Sequence, residues 1–117
     1  MGKINKAIWI SYDLGIGGDY PGLYRWLDNH DALECGNSLA FFFYPIDSKQ
    51  LKNIIDIIMD DLKETVELRS GDRLYLIRME KNGESTRVRG NFSYGKRKSN
   101  PWEGYGDRNS TGLEEGE

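Results

Sequence analysis

Ala7-Ile-Trp-Ile-Ser-Tyr-Asp-Leu14 runs directly into Gly15-Ile-Gly-Gly-Asp-Tyr-Pro-Gly22, and this junction decides the fold. Side chains alternate over the first eight residues: Ile8, Ile10, Tyr12 and Leu14 take one face, Ala7, Trp9, Ser11 and Asp13 the other. That is the pattern of a strand with two unlike faces. Gly15, Gly17 and Gly18 admit backbone with positive φ. Asp19 then stands where an N-cap accepts amide hydrogen bonds, with Pro21 in the first turn of a helix predicted over 20–30. Leu23 and Leu27 lie one turn apart on that helix, while Arg25, Asp28 and Asn29 face solvent.

Further along, residues 32–35, Gly36-Asn37 and 38–44 read as a short strand, a tight turn or bulge, and a longer strand. A hairpin and a single bulged strand both fit. The run Leu39-Ala-Phe-Phe-Phe-Tyr44 is apolar on both faces, which asks for cover on both. After Pro45 the period changes. Leu51, Ile54, Ile55, Ile58, Leu62 and Val66 make an amphipathic stripe, and Asp47 with Gln50 has capping-box spacing, so a second helix is predicted over 48–68. Residues 72–79 form a further strand. Asn82-Gly83 signals a hairpin into a last strand over 86–94.

The fold class is therefore α+β: a ferredoxin-like β-α-β-β-α-β antiparallel sheet with two helices on one face and an extra C-terminal strand. Residues 1–98 form the single domain that 117 residues allow. Residues 99–117 form a polar tail, predicted disordered from 109. Within that tail Pro101-Trp-Glu-Gly-Tyr105 is unusual, and either folds back onto the sheet or across a dimer, or forms a short partner-binding segment.

Composition narrows the setting. The net charge of −3 and pI near 5.2 exclude a wholly basic coat protein. Cys35 is the only cysteine, so there is no internal disulfide and no thiolate zinc site. The start of the chain lacks the apolar run of a signal peptide, and no stretch approaches the ~18 apolar residues of a membrane span. A reduced, cytoplasmic setting without membrane contact is expected.

If Ile8 and Ile10 face the helices, Trp9, Ser11 and Asp13 lie on the open face with one side of the phenylalanine run. An apolar face of that kind calls for a homodimer or for bases stacking on it.

Ile10-Ser-Tyr-Asp-Leu14, Ser38-Leu-Ala-Phe-Phe42 and Asp72-Arg-Leu-Tyr-Leu-Ile77 occur in order with a long helix between the last two. In this the chain resembles the small dimeric CRISPR-associated protein that partners the spacer integrase, and its relatives, the virulence-associated protein D toxins. The resemblance covers residues 8–77. It implies a ferredoxin-like homodimer in which Asp13 and its symmetry mate face each other across the cleft. It also implies either a Mg²⁺-dependent endonuclease with Asp13 as metal ligand and catalytic residue, or a scaffold for DNA or RNA beside an integrase. The family's arginines after strand one are here replaced by Gly15-Ile-Gly-Gly18. The contrasting reading is a non-enzymatic protein-interaction module, a toxin–antitoxin or anti-defence component whose open sheet face binds a partner such as an antitoxin.

Asp13 has two chemical readings. As a hard oxygen ligand it suits Mg²⁺ and phosphodiester chemistry; alternatively it caps the glycine turn by accepting its amides. The glycine loop lacks the lysine and Ser/Thr of a nucleotide P-loop and reads as a strand-to-helix turn. Between residues 78 and 98, Arg78, Lys81, Arg87, Arg89, Lys96, Arg97 and Lys98 face only Glu80 and Glu84, a net +5. Either this segment contacts phosphates, with Arg78, Arg87, Arg89, Lys96, Arg97 and Lys98 as the binding residues, or its charges guard an edge hairpin. Arg89-Gly-Asn-Phe-Ser-Tyr94 and Ile8-Trp-Ile-Ser-Tyr12 echo the aromatic motifs of RNA-recognition sheets. In those sheets, however, the glycine-aromatic motif lies on the strand before the second helix, not on the last one. His30 suits the C-terminal end of helix one as a cation, and Cys35 reads as a small packed residue.

Overall fold

A computed structural model describes residues 2–107. The order is β1 (Lys3–Asp13), α1 (Tyr20–Asn29), β2 (Leu33–Glu34), β3 (Leu39–Asp47), a 3₁₀ segment (Ser48–Asn53), α2 (Ile54–Lys63), β4 (Arg73–Asn82) and β5 (Ser85–Tyr94). The strands form one antiparallel sheet in the order β2-β3-β1-β4-β5. The described residues are thus α+β, with five antiparallel strands and two α-helices. Residues 32–44 resolve as a hairpin whose first strand has only two residues. Among the described residues, Phe42 to Asp47 consequently have no strand on their outer side, where Pro45, which lacks an N–H, is tolerated.

Strand alternation sets the core. Ile8 and Ile10, Phe42 and Ile46, and Leu74 and Leu76 point to one side, where they pack with Leu23, Trp26 and Leu27 of α1 and Ile54, Ile58, Met59 and Leu62 of α2. Both helices therefore cover one face. Burying each such aliphatic side chain stabilises by ~1.5–3 kcal/mol, and truncating fully buried Leu76 to alanine costs about 2–5 kcal/mol.

Helix α1 matches its predicted start: the Asp19 carboxylate accepts from the Gly22 amide at 3.0 Å. The second helix does not match. Its first six residues are 3₁₀, and α2 stops at Lys63, five residues before the predicted end. Asp47 caps by accepting from the Lys49 amide at 2.9 Å. Past Lys63, two carboxylates from outside the helix capture the amides a continuing helix would use. Asp19 accepts from Glu67 N–H at 2.9 Å and Asp72 from Arg69 N–H at 2.8 Å. Val66 stays buried even though it lies beyond the helix.

The last hairpin is one residue out of the predicted phase. Asn82 pairs with Ser85, leaving Gly83-Glu84 as the loop, with Gly83 at φ +67° in the first loop position. A two-residue hairpin loop with glycine there matches the right-handed twist of the strands. The expected disorder from 109 lies outside the described residues. Pro101–Tyr105 does not fold back onto the sheet. It forms turns closed by Glu103 N–H to Asn100 O and Tyr105 N–H to Trp102 O, and Trp102 and Tyr105 are 68% and 84% exposed.

Candidate nucleic-acid interface

Residues of the sheet that point away from the helices form a second face. The register aligns Trp9 with Phe41 and Ile77, Ser11 with Leu39 and Tyr75, and Asp13 with Arg73. At the β2–β3 end Leu33 aligns with Phe41, and toward β5 Tyr75 aligns with Phe92 and Met79 with Val88. Among the described residues no helix covers this face. Trp9, Ser11 and Asp13 all lie on it, as the alternation predicts.

Two aromatic groups occupy it. Trp9 and Phe41 have ring centroids 4.8 Å apart, and Phe41 continues to Phe43 at 5.1 Å. Phe43 is 55% exposed. Tyr75 and Phe92 pair edge-to-face at 4.8 Å. Tyr75 leans over Gly90, where a Cβ would come within 2.5 Å of its hydroxyl, so only glycine lets the ring lie there. After β5, Gly95 at φ +82° turns the chain, and the Arg97 guanidinium comes over the Phe92 ring at 5.2 Å and the Tyr75 ring at 5.8 Å. Cation–π attraction of this kind contributes about 0.5–1 kcal/mol at an exposed site.

Ser11, Asp13, Arg73, Tyr75, Phe92 and Arg97 line a cleft of about 280 Å³. Asp13 does not cap the glycine turn. Its Oδ2 accepts from Arg73 Nη2 at 2.6 Å and Nε at 3.2 Å across the β1–β4 ladder. Among the described residues no cluster of three His, Cys, Asp or Glu side chains brings a second and third ligand to Asp13. A divalent cation at Asp13 would have to displace or share with a guanidinium, which repels it. A smaller hollow of about 190 Å³ opens at the β2–β3 edge beside His30, Asp31, Leu33 and Phe41–Phe43.

The glycine turn is held by a residue that the sequence marks only as the start of a strand motif. Asp72 is 2% exposed, and its carboxylate accepts from Gly15 N–H at 2.7 Å and from Arg69 N–H at 2.8 Å. Arg69 in turn donates to the Gly17 carbonyl. Asp19 ties Gly22 to Glu67, and the hydrogen bonds from the Glu67 and Gly22 amides hold its carboxyl below the usual aspartate range. The loop is therefore a strand-to-helix turn pinned to the α2–β4 connection.

The basic segment is not one patch. Arg78 is 6% exposed on the helix side, donating to Asn91 Oδ1 at 2.8 Å and Glu80 Oε2 at 3.1 Å. Of the basic residues named from the sequence, it is the one that is buried. Arg89 and Arg87 align with Arg78 and Glu80 and so sit on the helix side too, with Arg89 within 3.4 Å of Glu80. Arg97 lies on the open face, and Lys96 and Lys98 flank it, exposed.

His30 is structural. Its Nδ1 lies 2.8 Å from the Trp26 carbonyl, and its Nε2 lies 3.4 Å from Asp61 Oδ2, which also accepts the Tyr44 hydroxyl at 2.7 Å. Burial, then the hydrogen bond to Asp61, raises the Tyr44 phenol above its ordinary range. Cys35 is exposed at the tip of the β2–β3 hairpin, not packed.

Comparison of the chain with family models, curated proteins and solved structures found no match. Function rests on the geometry. No helix among the described residues is long and apolar enough to cross a membrane.

Proposed function

We propose that the chain binds single-stranded nucleic acid on its open sheet face. The observation that carries this is the Trp9–Phe41–Phe43 platform, built from the adjoining strands β1 and β3. Bases present a π-face to such rings, and stacking contributes ~1–3 kcal/mol per base. RNA-recognition sheets use aromatics in the same relation, one on the first strand and others on the strand before the second helix. The glycine-aromatic motif on β5 is the wrong strand for this, as its order indicates, but Phe41 and Phe43 stand on the right one. A ferredoxin-like arrangement is supported by the β2-β3-β1-β4 order with both helices on one face, β5 being an addition at the edge.

Charge favours the same occupant. On the same face Arg73 and Arg97 border the second aromatic pair, Tyr75 and Phe92, whereas α2 carries Asp56, Asp60 and Asp61 on the opposite side. A strand running along the open face meets guanidinium groups at the β4–β5 end and escapes the acidic helix layer. The resemblance to CRISPR-associated integrase partners supports binding over cleavage here, because Asp13 is engaged by Arg73.

Fluorescence anisotropy with labelled ~12-nucleotide RNA, DNA and duplex tests the proposal. Single strands are expected to bind better than duplex, and Trp9→Ala or Phe41→Ala to weaken single-strand binding by roughly 5–150-fold. Absence of binding, or variants indistinguishable from wild type, overturns it. Light scattering separates the competing occupant: a stable dimer that persists with saturating oligonucleotide would mean that a second copy covers the face.

A further inference from the structure

The cleft beside Asp13 contains more than a phosphate contact needs. It offers an acceptor and a donor side by side on neighbouring strands, a hydroxyl, two ring systems and a second guanidinium. Both Arg73 hydrogen bonds go to Asp13 Oδ2, and Oδ1 accepts none among the described residues. The Asp13 carboxyl is more than half exposed and the Arg73 side chain only about a quarter, and both line the cleft, with the carboxylate the more accessible of the pair.

Resting on the single-strand reading, we infer that this cleft is a base subsite that selects guanine. Guanine's Watson–Crick edge carries two adjacent donors, N1–H and the N2 amine, followed by the O6 acceptor. Asp13 accepts from the donors and the Arg73 guanidinium donates to O6. Adenine would set its N1 lone pair against the Asp13 lone pairs. Cytosine offers one donor next to an acceptor, and uracil one donor between two acceptors. Each wrong base leaves a polar group of the cleft facing its own kind, which costs more than a missing contact. Tyr75 and Phe92 supply the stacking wall. Arg97 now covers those rings, and a base that takes the ring surface receives the Arg97 guanidinium on its outer face. At about 280 Å³ the cleft is at the small end of ligand sites, of a size for one base and not a longer segment.

The test uses the full chain and labelled oligoadenylate strands, either uniform or carrying one central guanine or inosine, with free GMP as competitor. One guanine is expected to tighten binding by roughly 5–150-fold, the range of a good bidentate base contact. Inosine, which lacks the N2 amine, should fall between guanine and adenine. Asp13→Asn should bring the guanine-to-adenine ratio to within about twofold. If Asp13 only holds the sheet, all strands weaken together and the ratio stays as in wild type, which overturns the inference. Equal affinity for guanine and adenine strands, with Trp9-dependent binding intact, also overturns it. GMP binding as tightly as the strand would make the cleft a mononucleotide site and refute the inference as stated. Failure of every strand to bind refutes instead the stacking proposal on which it rests.

Discussion

Replacing Asp72 with alanine removes one carboxylate and strands two backbone donors 54 residues apart in the chain, Gly15 N–H and Arg69 N–H. At 2% exposure, water cannot take the place of the lost oxygens without opening the turn. A buried donor left without a partner costs ~1–3 kcal/mol. Two such donors, partly relieved by local relaxation, give an expected loss of about 2–4 kcal/mol. Asp72→Asn should lose less than alanine, because its amide oxygen still serves one donor while its NH₂ confronts the other. Urea unfolding followed by tryptophan fluorescence measures both, with an unchanged m-value confirming that stability and not compactness has moved. A cost under ~0.5 kcal/mol for alanine would show that the two turns are not held through this side chain.

Gly22 lies in the first turn of α1, where alanine ordinarily improves a helix by up to ~1 kcal/mol. Here a Cβ would overlap the Asp19 carboxylate and come within 2.8 Å of the Thr65 carbonyl, so Gly22→Ala should instead destabilise by about 1–3 kcal/mol in the same assay. The folded chain holds the Tyr44 phenol proton more tightly than the unfolded chain does. Its contribution is therefore complete below the ordinary tyrosine pKa of ~10 and declines as pH rises above it, a decline that Tyr44→Phe should abolish in alkaline titrations of stability. For binding, Arg97→Ala should lower the salt slope by about one, whereas Arg87→Ala with Arg89→Ala should leave single-strand affinity within about twofold, because those two side chains lie on the helix side.

The alternation in residues 7–14, the Asp19 cap and the apolar stripe from Leu51 to Val66 were legible because each depends on neighbours within one or two turns of chain. The same local rule places Trp9, Ser11 and Asp13 on one face without reference to any partner strand. What failed were features that depend on distant residues. The predicted end of α2 was overridden by Asp19 and Asp72, which capture its following amides. Arg78, indistinguishable in sequence from its basic neighbours, is buried because it falls in register with Ile8 and faces Glu80 and Asn91. The alternating Phe41 and Phe43 were a usable signal for the aromatic platform, but their meaning needed the β1–β3 pairing that sets Phe41 beside Trp9.

By itself, then, the sequence determined which side chains share a face along β1 and where α1 begins, since strand and helix periods are properties of the backbone alone. Only the tertiary structure decided that Asp13 is tied to Arg73 and that Asp72, not Asp13, anchors the glycine turn. It also decided that Arg97 crosses onto Tyr75 and Phe92. Those contacts depend on strand order and register, which are fixed by how the whole sheet packs against α1 and α2 and not by any stretch of local sequence.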